Sequence, residues 1–550
     1  MRTPPGLDSP TFAAVVSQFE NVIGSQWVFT KDEDVDLYRD AYTPFRGESE
    51  DRFASAAVAP STVEEVQRIV RIANRYRVPL YPISTGRNLG YGGSAPVYSG
   101  SVVLDLKRMN RILEVNEENA YALVEPGVSY FDLYRYIQQR KLKLWIDCPE
   151  PGWGSLVGNA LDRGVGYTIP SLRNHFEAHC GMEVVLANGE LLRTGMGALP
   201  NGRTWQQYKS GYGPCIDGIF SQSNFGVVTK MGFWLMPQPE AYRCGRVLVR
   251  RRDDLHDLVR LVTLLENSGI TSGYPDAGSP LMGVASIREQ SRFLTLDESL
   301  PAPDWELRHL RDQAEDGDPT GLEKYGLRHN TPYWTFDLKY YGPPKVIAAQ
   351  WEYSKEVLSA IPGAWFQDQD EYRFPLAEEP TDLARYSEFG IPSLSSFSLG
   401  ARSSTNSHPS SGHLWFAPVI PRTGEAIFEA NGVFRKHAKE LHLPWLRFSL
   451  PTWFWQRTAI FIFWFAVSEH PAQNRMQRDA FKRLIQLAAQ HGWAEYRAAP
   501  AFQDAVMSTY SFNDNALLRF HEVVKDAVDP NGILSAGRYG IWPKYLRSSK

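Results

Sequence analysis

Cysteine is scarce. Cys148, Cys180, Cys215 and Cys244 are the only four in 550 residues, widely spaced and without a CxxC pair. That pattern excludes a disulfide framework and a cysteine-based structural zinc site, and it predicts reduced thiols. An excess of one charge is also lacking. The 58 Lys and Arg against 62 Asp and Glu leave a net charge of −4, too weak a field to gather nucleic-acid phosphates or an anionic membrane, so neither is an expected partner. No long hydrophobic run exists. The longest, from Ala459 to Val467, is about half of the ~20 residues that span a bilayer. The first residues, MRTPPGLDSPTFAAVVSQFE, place one Arg, early prolines and an Asp ahead of any apolar stretch and lack the build of a secretory signal. Fixed-period repeats and low-complexity tracts are absent too, which removes solenoid and collagen-like folds. The expectation is a soluble intracellular protein, cytoplasmic or peroxisomal.

What is present fits an ordinary folded chain. Apolar residues make up 43% and charged residues 22%, enough to bury a sizeable core. At ~100–200 residues per domain the length implies roughly two to four folding units. Aromatic residues reach 13%, with 16 Trp, 26 Tyr and 28 Phe; they suit a pocket for a flat ligand and serve equally as core material.

The first 240 residues alternate strand-like and helix-like pieces. Phe53 to Ala59 reads as a buried strand. Ser61-x-x-Glu64 then reads as a capping box opening a helix with Val63, Val66, Ile69, Val70 and Ala73 on one stripe. Further strands are expected at Val78 to Ile83, Ser101 to Leu106 and Ala120 to Val124, and Ser129-x-x-Asp132 opens another helix. This density of short elements predicts α+β packing. After Met236-Pro-Gln-Pro239 the texture shifts to long amphipathic helices and separated strands, which predicts a boundary near 240. The Gly/Pro-rich end, Asp529 to Trp542, suggests that the C-terminus folds back onto the first unit.

The most informative segment is Pro82-Ile-Ser-Thr-Gly-Arg-Asn-Leu-Gly-Tyr-Gly-Gly-Ser-Ala-Pro96. Glycines and hydroxyl residues directly after a strand expose consecutive backbone N–H groups that can cradle a pyrophosphate, with Arg87 and Asn88 as further donors. Gly90-x-Gly92-x-x-Ala95 formally matches the dinucleotide fingerprint. Pro96 follows, however, and no helix opens, whereas that fingerprint needs a helix N-terminus facing the phosphates. From the residues alone, a plain glycine-rich turn stays open beside the phosphate cradle.

With Val124-Glu-Pro-Gly127, Gly154-Ser-Leu-Val-Gly-Asn-Ala160, Gly164-Val-Gly-Tyr-Thr168, Gly181-Met-Glu-Val-Val-Leu-Ala-Asn-Gly-Glu190 and Ser221-Gln-Ser-Asn-Phe-Gly-Val-Val-Thr-Lys230, the loop resembles the vanillyl-alcohol oxidase and 4-cresol dehydrogenase flavoprotein family, which includes eugenol oxidase. The resemblance runs over essentially the whole chain, with the motifs in order. It implies an α+β, two-domain FAD-binding fold: residues 1–240 and 496–550 form the FAD-binding domain, and 241–495 form a cap over the flavin. It places Thr85, Gly86, Arg87, Asn88, Leu89, Gly90, Gly92, Gly93, Pro126, Gly154, Ser155, Gly158, Asn159, Gly164, Gly166, Tyr167, Gly226, Val228 and Arg538 at the cofactor.

Gly412-His-Leu-Trp-Phe-Ala-Pro-Val-Ile420 reads as a strand with His413, Trp415 and Ala417 on one face. In relatives resembling this chain, a His at position 413 bonds covalently to FAD, a task suited to an imidazole that is neutral and nucleophilic near pH 7. A hydrogen-bonded core histidine is the alternative. The resemblance also gathers Tyr91, Tyr496 and Arg497 around a substrate's phenolic oxygen, the alternative being a surface Tyr-Arg pair at a helix end. Holding a phenol of pKa ~10 as phenolate near pH 7 takes about three pKa units, or roughly 4 kcal/mol, and a guanidinium with two phenolic donors is suited to supply it.

The activity implied is oxidation of para-substituted phenols such as 4-hydroxybenzyl alcohols and 4-alkyl or 4-allylphenols. Hydride passes to flavin N5 through a quinone methide, with O2 as acceptor and H2O2 as product, in a homo-oligomer that is a dimer or larger. A dehydrogenase with a cytochrome acceptor, and a diverged flavoprotein with another alcohol substrate or without phenol chemistry, are the alternatives. The sequence departs from the family at Tyr167 to Gly181, a stretch about two residues longer than the family spacing. The position matching the family's aspartate beside the flavin is Asn174, and an amide cannot accept a proton at pH 7. His175 and Glu177 are nearby substitutes. His175-x-x-x-His179 with Cys180 has permissive metal spacing but no known zinc signature, and no metal is expected. A second departure is the Trp-rich Pro451 to Ala459, which fits an altered substrate pocket or an aromatic core strand alike.

Overall fold

The structure is a computed structural model that describes residues 2–88, 90–284, 305–377, 386–394, 412–443, 446–468 and 470–547. Near the N-terminus, Ala57–Val58, Val102–Asp105 and Leu80–Ile83 lie side by side in parallel, and Val28–Phe29 adds an antiparallel edge. Helices Ser9–Ile23 and Val63–Tyr76 cover this sheet, and the stripe Val63, Val66, Ile69, Val70 and Ala73 is buried.

Two local expectations shift. The cap of the second helix is Thr62, which accepts from Glu65 N at 3.2 Å, while Ser61 N donates to the Glu65 carboxylate at 2.6 Å. The box therefore sits one residue later than Ser61 and Glu64, because Thr62 is the last extended residue (φ −133°, ψ 160°). The strand expected from Phe53 to Ala59 contributes only Ala57–Val58 to the sheet. Its first residues instead bond to a turn, with Gly100 N donating to Phe53 O and Ser55 N to Ser101 O. The capping box at Ser129 and Asp132 forms as written, each side chain bonding the other's backbone N–H.

A second, antiparallel sheet runs in the order Ile112–Asn116, Tyr121–Val124, Val227–Trp234, His179–Val185, Leu191–Arg193. A third, also antiparallel, orders Asp276–Gly278, Trp334–Gly342, Ala241–Val249 and Trp365–Arg373. Helices Asp254–Asn267 and Pro344–Leu358 contribute buried side chains to the core of this third sheet. The apolar run from Ala459 divides into two short strands, Thr458–Ile460 and Phe463–Val467. Among the described residues no helix is long and apolar enough to cross a membrane.

Two further connections set up the site. Gly412–Phe416 pairs with Phe463–Val467, and the next strand, Pro418–Pro421, pairs with both Thr458–Ile460 and Ala494–Glu495. Tyr496 and Arg497 thus emerge beside the His413 strand. The C-terminal end returns to the first sheet, where Leu80 N donates to Ile533 O at 2.7 Å and Ser535 N to Leu80 O at 2.8 Å. Lys525, fully buried, holds this return by donating to Asn224 O and Leu534 O beside Asp529.

Candidate active site

The strand Leu80–Ile83 delivers the chain into the glycine loop. Gly86, Gly90 and Gly92 have φ of 67°, 78° and 118°, a region that L side chains avoid. Close approach compounds the requirement at Gly90: a Cβ there would lie 2.2 Å from Trp415 Cδ1 and 3.0 Å from His413 Cδ2. Trp415 N donates to Gly90 O at 3.3 Å, so the loop and the His413 strand are stitched backbone to backbone. No helix follows the loop, as Pro96 implies.

A cavity of about 280 Å³ opens beside this loop. Thr85, Gly86, Arg87, Asn88 and Gly93 line it from the loop, and Pro126, Gly154, Ser155, Gly158 and Asn159 from the segment opposite. Tyr167, Gly226, Val228 and Arg538 complete the predicted lining. Ser155 ties that opposite segment together by donating to Pro126 O at 2.6 Å and accepting from Gly158 N at 3.0 Å. A Cβ on Gly158 would meet Ser84 Oγ at 2.3 Å. Gly90, Gly92, Gly164 and Gly166 are not among the residues that line the cavity. At Gly166 a Cβ would strike Asp147 Oδ1. Leu89 lies outside the described residues.

Tyr91, Tyr496 and Arg497 all line the same cavity. The two hydroxyls are 3.2 Å apart, Arg497 Nε donates to Tyr496 Oη at 2.9 Å, and the guanidinium carbon lies 3.9 Å from the centre of the Tyr91 ring. Burial, with Tyr496 alongside, pushes the Tyr91 hydroxyl well above its ordinary range, so it stays a donor. Burial opposes the charge of Arg497, but Tyr496, Tyr91 and Asp162 outweigh it and hold the guanidinium above its ordinary value. Next to them Glu495 is buried and its carboxyl is raised well above the usual range by desolvation; it accepts from Ala417 N at 2.8 Å.

His413 is fully buried, with its ring 4.4 Å from Trp415 and 5.2 Å from Tyr42. Trp415, not His413, forms the cavity wall there. Asn174 sits opposite Val165 in an isolated bridge, so the two share a face. Val165 reaches the cavity; Asn174 does not, and its amide oxygen accepts from Glu177 N at 3.4 Å. Its neighbours turn inward. His175 bonds Asp147 at 2.9 Å, Asn159 at 2.7 Å and Tyr130 at 3.1 Å, and Arg173 and Arg422 flank the carboxylate of Glu266. Glu177 faces solvent beside Lys209, which removes it as a base at the cavity. His179 pairs with Asp217, so the two histidines serve separate carboxylates instead of sharing a ligand. In the Trp-rich stretch, Phe454 lines the cavity, while Trp453 is core and Trp455 packs edge-on to Tyr496 at 5.5 Å.

Sequence reasoning missed Asp162, Gln222 and Tyr539, all in the wall. Gln222 donates to Tyr496 O at 2.9 Å from a left-handed backbone (φ 46°). Asp162 accepts from Asn88 and from Tyr539, a partner 377 positions away. Asp162 does stand between two recognised motifs, but its partners come from the far end of the chain.

Residues 54–195 match a family described as FAD binding domain. The chain fits that cofactor: a cavity lined by glycines, of which Gly86 and Gly158 leave no room for a side chain, and by Arg87, Asn159 and Arg538 continues into an aromatic chamber. The class so defined is that of the flavoprotein oxidoreductases. Over 541 residues the chain is 32% identical to the 4-cresol dehydrogenase (hydroxylating) flavoprotein subunit of Pseudomonas putida, spanning 98% of this chain and 97% of that protein. The structure superposes on 4-ethylphenol oxidase from Gulosibacter chungangensis, determined as an isoeugenol complex, with a TM-score of 0.81, 34% identity and coverage of 99% and 100%. It superposes on substrate-bound p-cresol methylhydroxylase with a TM-score of 0.81, 31% identity and coverage of 98% and 99%. The chain belongs to the family of the 4-cresol dehydrogenase flavoprotein subunit and has the p-cresol methylhydroxylase type of FAD-binding fold.

Proposed function

We propose that this protein oxidises the para side chain of phenols, with 4-alkyl and 4-allylphenols and 4-hydroxybenzyl alcohols as its substrate class. The observation that carries this reading is the meeting of Tyr91, Tyr496 and Arg497 on one cavity wall. The FAD-binding lining and the phenolic substrates named for the two solved relatives support it. FAD, when bound, supplies the hydride acceptor.

The chain's own residues prepare the substrate. Arg497 places a permanent cation at the ring oxygen, and Tyr91 and Tyr496 donate to it, in a site dry enough for these interactions to outweigh those in water. Together they stabilise phenolate by the roughly 4 kcal/mol that ionisation near pH 7 requires. Phenolate electrons can then release hydride from the para side-chain carbon to that acceptor, and Phe454, Tyr167 and Trp415 give the cavity aromatic lining against which the ring can pack. Asn174, paired with the cavity-lining Val165, hydrogen-bonds without changing protonation state.

In this reading Arg87, Asn159 and Arg538 hold FAD, His413 tethers it, residues 1–240 and 496–550 bind it, and 241–495 cap it. The electron acceptor is O2. The decisive experiment compares 4-ethylphenol with its O-methyl ether: the phenol bleaches the flavin under anaerobic conditions, the ether does not, and admission of air restores the colour with formation of H2O2. Equal oxidation of the ether removes the phenolate mechanism. Failure of air to restore the colour redirects the electrons to a cytochrome-type acceptor.

A further inference from the structure

Asp162 lies in the cavity wall, 5% exposed, and two guanidinium groups approach it. One carboxylate oxygen, Oδ2, accepts from Asn88 Nδ2 and stands 3.6 Å from Arg497 Nη1. The other, Oδ1, accepts from the Tyr539 hydroxyl and stands 3.6 Å from Arg538 Nη2. Each oxygen thus has one neutral donor and one arginine. The groups around it come from three parts of the chain: Asn88 in the glycine loop, Arg497 beside Tyr91 and Tyr496, and Arg538 with Tyr539 beside Tyr81; the two arginines carry the charge. Glu495 turns its hydrogen bond away, toward Ala417.

We propose that Asp162 is the counter-charge of the phenolate clamp and determines how strongly the site selects the ionised form of its ligand. This inference rests on the phenol reading above. Asp162 partly offsets the positive field of Arg497 at the cavity, shared with Arg538, and a phenolate beside Arg497 completes that offset. A neutral phenol does not. The 3.6 Å spacings are ion-pair distances too long for direct hydrogen bonds, so Arg497 keeps N–H groups for a ligand while Asp162 moderates its field. Removing the carboxylate charge leaves the field of Arg497 less opposed and favours phenolate further.

The test titrates holoenzyme with 4-cyanophenol, which has no hydrogen on its para side chain to lose, and follows the phenolate band across pH. In Asp162→Asn the apparent pKa of the bound phenol falls by about one unit, so binding below the free phenol's pKa tightens about tenfold. Asp162→Glu, which restores the charge, returns toward the wild-type value. Asp162→Ser repeats the measurement should the amide disturb the Tyr539 contact and prevent folding. A bound pKa that is the same in wild type, Asn and Ser variants overturns the role of Asp162 and leaves the phenol reading intact. A wild-type protein that binds no 4-cyanophenol at any pH overturns both.

Discussion

The hydroxyls of Tyr91 and Tyr496, residues 405 positions apart in the chain, lie 3.2 Å from each other, one carried by the glycine loop and one by the residue after the strand Ala494–Glu495. Neither position is distinctive by itself. Arg497 completes the group by donating to one hydroxyl and stacking over the other ring, and the first expectation follows from that geometry.

Arg497→Met removes the cation that touches both tyrosines and lowers kcat/KM for 4-ethylphenol by about a hundredfold or more, equivalent to about two of the three pKa units needed. Arg497→Lys keeps the charge but loses the planar fork, and falls between the two. Steady-state kinetics across pH provide the measurement, and a loss under fivefold in the Met variant contradicts the clamp.

Acid precipitation of the wild-type protein leaves a yellow pellet if the tether to His413 is correct, whereas His413→Ala releases its flavin into the supernatant. A colourless wild-type pellet removes the covalent role of His413, whose ring then belongs to the packing between Trp415 and Tyr42.

Gly90→Ala introduces a Cβ 2.2 Å from Trp415 at a φ of 78°. The backbone alone costs about 1–2 kcal/mol, and the clash adds to it. Lower thermal stability together with reduced flavin content is expected, measured by calorimetry and by the visible absorbance ratio. Retention of both shows that the loop and the His413 strand can separate freely.

Glu266 sits between Arg173 and Arg422 with all three side chains buried. Burial opposes its charge, but the two arginines hold the carboxyl below its ordinary range. Its contribution to stability is therefore complete above the unfolded glutamate pKa and is lost as pH falls through the lower folded value. Glu266→Gln leaves two buried cations without an anion and destabilises by about 3–5 kcal/mol at pH 7. The difference from wild type narrows toward acid pH. Denaturant titrations at pH 7 and pH 4 that give equal differences refute this account.

Much of the fold is legible from short-range chemistry. The stripe from Val63 to Ala73, the box at Ser129 and Asp132, and the missing helix after Pro96 all depend on neighbours within a few residues. The errors are equally local. Thr62 replaces Ser61 as cap because the backbone enters the helix one residue later. The expected strand at Phe53 shortens because a turn at Gly100 takes its hydrogen bonds.

The sequence by itself determined which residues lack side chains and which groups can carry charge: a run of glycines directly after a strand, a histidine in an apolar strand-like segment, and the Tyr496-Arg497 pair. Only the tertiary structure decided that Trp415 rather than His413 forms the wall, that Val165 reaches the cavity while Asn174 does not, that Glu177 faces solvent, and that Asp162 faces two arginines. The physical reason is range. Backbone conformation is set by the residue and its neighbours, whereas burial and ion pairing depend on groups that folding brings together from distant parts of the chain.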